Sequence, residues 1–377
     1  MVFLENVRNS ARSFRIVLLP LLLYSGQLVF PASGFSQIPR GVFSLPPSDQ
    51  SAQDGSLTNP DVDGISIRSG WISIEPTEGV FNWSFLDSEV ASAAAAGKVV
   101  ILRIATQAGK PAWVTQAVSN AGGLFFNFVD DGVSTSIPVF WDPTYLAKKK
   151  AMIAAVGAHF ANNPTVKVIA ASFANATSED WNVPHTSDLI PQWQALGYTS
   201  DKMLDAGKQI IDATMVAFPN QYVALAVAGD GSLDPDSDYV SRNAVATANA
   251  SWPGRLIVQK NCLSAVNPPA PGTNSDFELL WDSRPNVAGQ MLWSCAGDTT
   301  YRNNGGVAAD PGTILQNSVD AGVSYGMNYI EIYQTDVANL PDEISYAHAV
   351  LNGTTPPPSP PPTGGTPAPP TGFRLVP

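Results

Sequence analysis

Short runs of apolar, mostly β-branched residues recur along the chain, with longer amphipathic segments between them. Such runs, bounded by turn-forming residues, are typical of buried strands in a parallel sheet. The intervening segments, such as 143–160, 200–218 and 311–322, have the spacing of helices. The pattern predicts eight strands, at residues 41–45, 65–68, 99–104, 166–173, 222–228, 256–259, 289–293 and 329–333.

Eight strands alternating with helices over about 310 residues predict an α/β protein, a single (β/α)8 TIM barrel at 37–353. A doubly wound open sheet is the alternative architecture. That fold is expected to show a glycine-rich phosphate loop after its first strand, and the sequence has none there. Catalysis in a barrel takes place at the carboxyl ends of the strands, so the residues at those ends are the candidates for chemistry.

The segment 63–104 contains a specific motif, W-x-x-I-E-P-x-x-G-x-F-x-W-x-x-L-D, which runs from Trp71 to Asp87. This motif resembles the second βα unit of clan A glycoside hydrolases, especially the β-galactosidase-like (family 42-type) members. The resemblance implies a (β/α)8 barrel that cleaves sugar linkages with two carboxylates and no cofactor. Glu75, within the motif, is expected to brace the turn.

The same resemblance implies an acid/base glutamate after the fourth strand, where the chain has Glu179. Family members usually have an Asn directly before this glutamate, whereas here Ser178 precedes it. Asp180 is the nearest alternative. A position beside Trp181 is suited to raising the pKa of the carboxyl group, as a general acid requires.

Glu331 is predicted to be the second carboxylate. It lies between Ile330 and Ile332, so its side chain points to the opposite face of the strand, and a charge in so apolar a strand needs a reason. Nucleophilic catalysis is one reason, and a buried ion pair with Arg68 or Arg103 is the alternative.

The position of Glu331 departs from the family, because clan A nucleophiles lie on strand seven and this residue is on strand eight. Gln290 lies where the strand-seven nucleophile is expected, and an amide cannot take that role. The resemblance also implies that Arg68 hydrogen-bonds the nucleophile, with a structural salt bridge as the alternative.

Aromatic and amide side chains cluster near the predicted strand ends, where sugar rings are able to stack and form hydrogen bonds. The predicted substrate-binding residues are Arg68, Trp71, Trp141, Asn175, Trp181, Gln259, Asn261, Gln290, Trp293 and Tyr333.

The composition of the chain limits the classes of binding partner. The net charge is −12 and the pI is about 4.6, which argues against nucleic acid or an anionic membrane and fits a neutral oligo- or polysaccharide. Cys262 and Cys295 follow neighbouring predicted strands, so one disulfide is expected in an exported chain. The three histidines and the absence of a C-x-x-C pair predict no metal site.

Both ends differ from the barrel. Residues 1–36 have a basic start, an apolar run at 16–24 and a small-residue region, which predicts a signal peptide; a membrane anchor is the alternative. Residues 354–370 form a Pro/Thr/Gly-rich linker, and 371–377 resemble the start of a fibronectin-type module, with a cell-wall spacer or a frayed tail as the alternative.

The sequence thus predicts a secreted, periplasmic or cell-surface glycosidase that acts with retention. The alternative is a non-catalytic carbohydrate-binding or surface-attachment protein on a degenerate barrel. The sequence does not predict an oligomeric state.

Overall fold

The computed structural model describes residues 37–106, 109–130, 132–171, 187–227, 239–266 and 276–354. Eight parallel strands close into a barrel, and a separate antiparallel hairpin lies between the third and fourth of them. The strands are β1 (Gly41–Leu45), β2 (Gly64–Gly70), β3 (Val99–Ala105), β4 (Phe125–Asp130), β5 (Val133–Pro138), β6 (Val166–Ala170), β7 (Tyr222–Ala226), β8 (Leu256–Leu263), β9 (Val287–Met291) and β10 (Tyr329–Tyr333).

The barrel order is β1-β2-β3-β6-β7-β8-β9-β10, and β10 pairs with β1 to close it. All eight predicted strands are therefore present and the predicted (β/α)8 TIM barrel is confirmed. The helices described between them are α1 (Asp54–Thr58), α2 (Trp71–Ile74), α3 (Ser84–Ala95), α4 (Ala112–Asn120), α5 (Pro143–Phe160), α6 (Ile190–Ala195), α7 (Ser200–Ala217), α8 (Tyr239–Ser251), α9 (Asp276–Asp282), α10 (Pro311–Ser324), α11 (Gln334–Asn339) and α12 (Pro341–Leu351).

Local capping chemistry explains where α5 and α10 begin. Asp142 accepts a hydrogen bond from the Tyr145 backbone N–H at 2.8 Å, and a proline occupies the first turn of α5. Asp310 caps α10 in the same way. A side-chain oxygen at this position satisfies an N–H group that the helix leaves unpaired, so each helix begins directly after its capping residue.

Both faces of the strands carry many apolar side chains, but the two faces have different partners. Outward side chains such as Ile65, Leu102 and Ile330 pack in the main core with the helices. Inward side chains form a second apolar cluster inside the barrel. That cluster contains Phe43, Ile101, Val168, Tyr222, Ala224, Ile257, Ala288 and Tyr329.

The turn after β2 is organised by Glu75, as the sequence predicts. Its carboxylate accepts hydrogen bonds from Trp71 Nε1 at 2.7 Å and from the Gly79 N–H at 2.8 Å. Its backbone carbonyl accepts a hydrogen bond from Trp113 Nε1 at 3.1 Å. Glu75 is almost fully buried, so these contacts hold the I-E-P turn against the barrel.

The predicted disulfide is wrong, because Cys262 and Cys295 are not bonded to each other. Cys295 lies four residues beyond the end of β9, whereas the β8 end pairs with β9 itself, at Leu263 and Met291. The Cys295 Sγ accepts a hydrogen bond from Asn303 Nδ2 at 3.2 Å. The thiol is therefore directed into the loop after β9.

Within the described ranges, no helix combines the length and the apolar character needed to cross a bilayer.

Candidate functional site

A buried polar cluster occupies the interior of the barrel and is centred on Glu331. We define the polar cluster as Ser66, Arg103, Gln259, Gln290 and Glu331, from β2, β3, β8, β9 and β10. Arg103 Nη2 lies 3.0 Å from Glu331 Oε2, and Gln259 Nε2 donates to the same oxygen at 2.6 Å. Ser66 Oγ donates to Glu331 Oε1. Both carboxylate oxygens are thus engaged by groups from three different strands.

A second set of hydrogen bonds orients the cluster. Arg103 Nη1 donates to Gln290 Oε1 at 3.1 Å, and Gln259 Nε2 also donates to Asn261 Oδ1 at 2.8 Å. Tyr329 OH donates to Gln259 Oε1 at 2.8 Å, which directs the Gln259 amide N–H groups toward Glu331. Burial, and then the charge of Glu331, raises the pKa of Tyr329 well above its usual range, so this phenol remains a donor.

The charge inside the barrel is balanced by one ion pair. Glu331 is fully buried and Arg103 is 1% exposed, so neither charge is solvated by bulk water. An isolated buried carboxylate is strongly unfavourable, and an arginine with amide and hydroxyl donors is what compensates it. The sequence offered Arg68 or Arg103 as a buried ion-pair partner for Glu331, and the structure selects Arg103.

The predicted contact between Arg68 and the second carboxylate is wrong. Arg68 donates to the Pro46 carbonyl oxygen through Nε at 3.1 Å and through Nη2 at 2.7 Å. Arg68 lies two residues nearer the end of β2 than Ser66, which is the β2 residue that reaches Glu331. Its guanidinium instead fastens β2 to the segment after β1.

The other predicted site residues fall into three groups. Gln259 and Gln290 belong to the polar cluster, and Asn261 is bonded to it. Trp293 and Tyr333 lie at the ends of β9 and β10, where Tyr333 OH donates to the Leu292 carbonyl at 3.3 Å. The remaining set, Asn175, Glu179, Asp180 and Trp181, lies outside the described residues.

The two predicted sugar-binding tryptophans before β6 differ in their exposure. Trp71 is fully buried, with its ring packed edge-to-face on Trp113 at 5.8 Å, so no sugar ring is able to stack on it. Trp141 packs against Trp193 at 6.0 Å and Tyr198 at 5.8 Å, beside α6 and α7. Trp71 therefore has a structural role, whereas Trp141 is only partly buried and stays a predicted sugar-binding residue.

Sequence reasoning missed Ser66 and Tyr329, and it treated Arg103 only as an alternative partner. Arg103 carries the signal that selected Glu331, because it is a charged residue flanked by apolar Leu102 and Ile104 within a strand. This pattern marks Arg103 as an inward charge, but it does not by itself select Arg103 over Arg68 as the partner of Glu331.

The loop after β9 is anchored by a buried carboxylate on α11. Asp336 accepts hydrogen bonds from Ser294 Oγ at 2.8 Å, the Cys295 N–H at 3.0 Å and the Ala296 N–H at 2.6 Å. Burial raises the pKa of Asp336, and these three hydrogen bonds oppose that rise. The loop is therefore fixed relative to β10, which precedes α11.

The described part of the chain contains no group of three or more His, Cys, Asp or Glu side chains arranged to hold a metal ion. The polar cluster has one carboxylate, and an arginine lies against it. Its chemistry is that of a charge-paired carboxylate with neutral hydrogen-bond donors.

Comparison with known proteins supports the resemblance seen in the sequence. The glycoside hydrolase 42 family model, described as "Beta-galactosidase", matches residues 56–180, about a third of the chain. The matched region extends from α1, through the W-x-x-I-E-P motif, to Asp180. No curated protein sequence matches the chain.

Solved structures share the fold at low identity. The catalytic domain of a β-amylase from Paenibacillus polymyxa is 11% identical, with 84% of this chain and 99% of that chain covered and a TM-score of 0.54. A β-galactosidase from Rahnella sp. R3 is 11% identical, with 84% of this chain and 57% of that chain covered and a TM-score of 0.50. The chain is therefore a (β/α)8 barrel with a partial sequence match to the β-galactosidase family model.

Proposed function

We propose that the chain is a glycosidase that hydrolyses a bond in a neutral oligo- or polysaccharide. The family-model match across 56–180 and the barrel that contains it support this activity. The net charge of −12 favours a neutral glycan over an anionic one, because like charges repel. No cofactor is needed for this reaction.

The proposed mechanism is retaining, with Glu331 as nucleophile and Glu179 as acid/base. The observation that carries the assignment is the position of Glu331, which is the one acidic residue in the eight described barrel strands. Its carboxylate is paired with Arg103 inside the barrel. Arg103, Ser66 and Gln259 fix the orientation of its carboxylate. In such a mechanism the carboxylate attacks the anomeric carbon while the acid protonates the leaving oxygen, and the acid then activates water to release the sugar.

A glycan-panel assay with three variants tests this proposal. Glu331→Gln is expected to abolish turnover, because an amide does not form the glycosyl–enzyme bond. Glu179→Gln is expected to lose activity on poor leaving groups but to keep much of it on dinitrophenyl glycosides, which leave without a proton. Glu278→Gln is the matched control, since Glu278 lies on α9 and pairs at 3.3 Å with Arg242 outside the barrel. Full activity of Glu331→Gln refutes the mechanism.

A second candidate function, non-catalytic carbohydrate binding, is favoured by the burial of Glu331. Its side chain is fully covered, both oxygens are hydrogen-bonded, and it lies two residues before the end of β10. In this alternative the ion pair only stabilises the barrel. Glycan binding with no turnover of any panel member would support the binding protein over the enzyme.

We further propose that the protein is exported, to the medium, the periplasm or the cell surface, because residues 1–36 have the pattern of a signal peptide. Sequencing the N-terminus of the protein recovered outside the cytoplasm tests this. A start beyond the apolar run at 16–24 is expected, and retention of residue 1 contradicts it.

A further inference from the structure

Trp293 is the only aromatic residue among the large, well-exposed apolar side chains that the structure describes, and 42% of it is exposed. It lies two residues beyond the end of β9, on the side of the barrel where the strands end. It lies three positions after Gln290 of the polar cluster, so the connecting backbone spans at most about 11 Å. Trp293 is thus a neighbour of the candidate site but outside it.

The exposed ring is held by its surroundings. Asn303 accepts the Trp293 backbone N–H at 3.1 Å and donates to the Trp293 carbonyl oxygen at 2.6 Å through Nδ2. The Arg302 guanidinium lies 3.6 Å from the ring centroid and covers one face. Arg302 is in turn fixed by Asp298, which accepts its backbone N–H at 2.9 Å and lies 3.5 Å from Nε.

These contacts make the ring a preorganised surface. Exposed side chains normally lose rotamer freedom when a ligand binds, and a ring with a hydrogen-bonded backbone and an arginine packed on one face loses less of that freedom. The Arg302 charge is balanced locally by Asp298, so the surface does not select an anion.

We infer that the uncovered face of Trp293 is a stacking subsite for one sugar ring of a neutral polysaccharide, at the rim of the barrel beyond the cleavage point. The location of the cleavage point rests on the proposed function. A saccharide of two or more units that extends from the polar cluster toward the rim is long enough to reach this ring. The inferred substrate class is therefore a neutral oligo- or polysaccharide, with a monosaccharide too short to span the polar cluster and the ring.

The chain supplies a matched control for this subsite. Trp281 is also stacked by an arginine, with the Arg284 guanidinium 3.4 Å from the ring centroid. It lies on α9, directly before β9, and therefore near the amino ends of the barrel strands. Trp281→Ala removes a partly buried, arginine-stacked tryptophan from the opposite end of the barrel.

Affinity gel electrophoresis in soluble neutral polysaccharides (galactan, arabinoxylan, galactomannan and mixed-linkage glucan) tests the inference without depending on turnover. We expect at least one polymer to retard the native chain, Trp293→Ala to weaken that binding about tenfold, or about 1.4 kcal/mol, and Trp293→Phe to keep most of it. Trp281→Ala is expected to bind like the native chain. Thermal midpoints check that all variants fold.

The outcomes separate this inference from the proposed function. Retention that does not depend on Trp293, equal losses in Trp293→Ala and Trp281→Ala, or no retention by any polymer overturns the subsite, whatever the hydrolysis assay shows. Trp293-dependent binding in a chain that hydrolyses nothing upholds the subsite and refutes only the enzyme.

Discussion

Arg103 Nη2 and Glu331 Oε2 are 3.0 Å apart across the interior of the barrel, on two strands that are not neighbours. β3 and β10 are separated by β1 and β2, so the contact joins parts of the barrel that share no backbone hydrogen bonds. The pair lies on the same inward face as the apolar cluster that contains Phe43 and Ile101. It is therefore both a structural element and the candidate for chemistry.

Removing one partner of this pair should destabilise the fold strongly. In Arg103→Met the Glu331 carboxylate is left buried without its counter-charge, and loss of a partner in a buried pair costs about 3–5 kcal/mol. Equilibrium urea unfolding, followed by tryptophan fluorescence, measures the change in free energy of unfolding.

The double variant Arg103→Met/Glu331→Leu is the control for that experiment. It removes both charges, so at least half of the lost stability should return. The ion pair does not have the assigned role if Arg103→Met has the same midpoint of urea unfolding as the native chain. The same holds if the loss of unfolding free energy in the double variant equals the sum of the losses in the two single variants.

Lys149 should make the stability of the protein depend on pH in the alkaline range. It is fully buried on α5, and burial lowers its pKa from 10.5 to about 7. The unfolded chain therefore binds one more proton than the folded chain between pH 7 and 10.5, and this difference makes stability rise with pH. The slope from this single group is at most about 1.4 kcal/mol per pH unit.

Lys149→Met isolates this contribution, because methionine is similar in shape and does not titrate. The stability of the variant should exceed that of the native chain most at pH 6 to 7. The difference should shrink toward pH 10, because there the native chain no longer differs from its unfolded state as strongly in the cost of holding Lys149 uncharged. Thermal midpoints of both proteins across this pH range measure the effect. A gain that is constant with pH would show that Lys149 titrates normally in the fold.

The Cys295 thiol should be unreactive in the folded protein. Burial, and then the nearby Asp336 charge, raises the pKa of Cys295 to about 12, so almost no thiolate is present at pH 8. Iodoacetamide labelling followed by peptide mass spectrometry should show no modification of Cys295 until denaturant is added. Asp336→Asn should speed its labelling.

The same assay checks the pairing of the cysteines. In denaturant without reductant, Cys262 and Cys295 should both react. Failure of both to react before reduction would restore the disulfide that the sequence suggested.

The strands and Glu331 were predictable because their signals are local. Apolar runs between turn residues mark buried strands, and a charge at one alternating position marks an inward side chain. The choice between Arg68 and Arg103 was not predictable in this way. Both arginines are inward candidates on paired positions of β2 and β3, and only the register and the side-chain paths decide which one reaches Glu331.

Long-range packing explains the other differences between the predictions from sequence and the structure. The hairpin of β4 and β5 was not predicted, because its burial depends on residues far along the chain: Phe126 stacks on Trp193 of α6 at 4.0 Å. Trp71 was assigned to the sugar site because it follows β2, but a four-residue helix turns its ring into the core. Such turns depend on contacts that are distant in sequence.

Trapping the glycosyl–enzyme intermediate is the most direct test of whether Glu331 is the nucleophile. The native chain is incubated with the 2-deoxy-2-fluoro derivative of the sugar that the glycan panel identifies, because the fluorine slows breakdown of the covalent intermediate. Peptide mass spectrometry is then used to locate the adduct. We expect one sugar per chain, attached to Glu331 and absent in Glu331→Gln. Turnover without any adduct, or an adduct on another carboxylate, would contradict it.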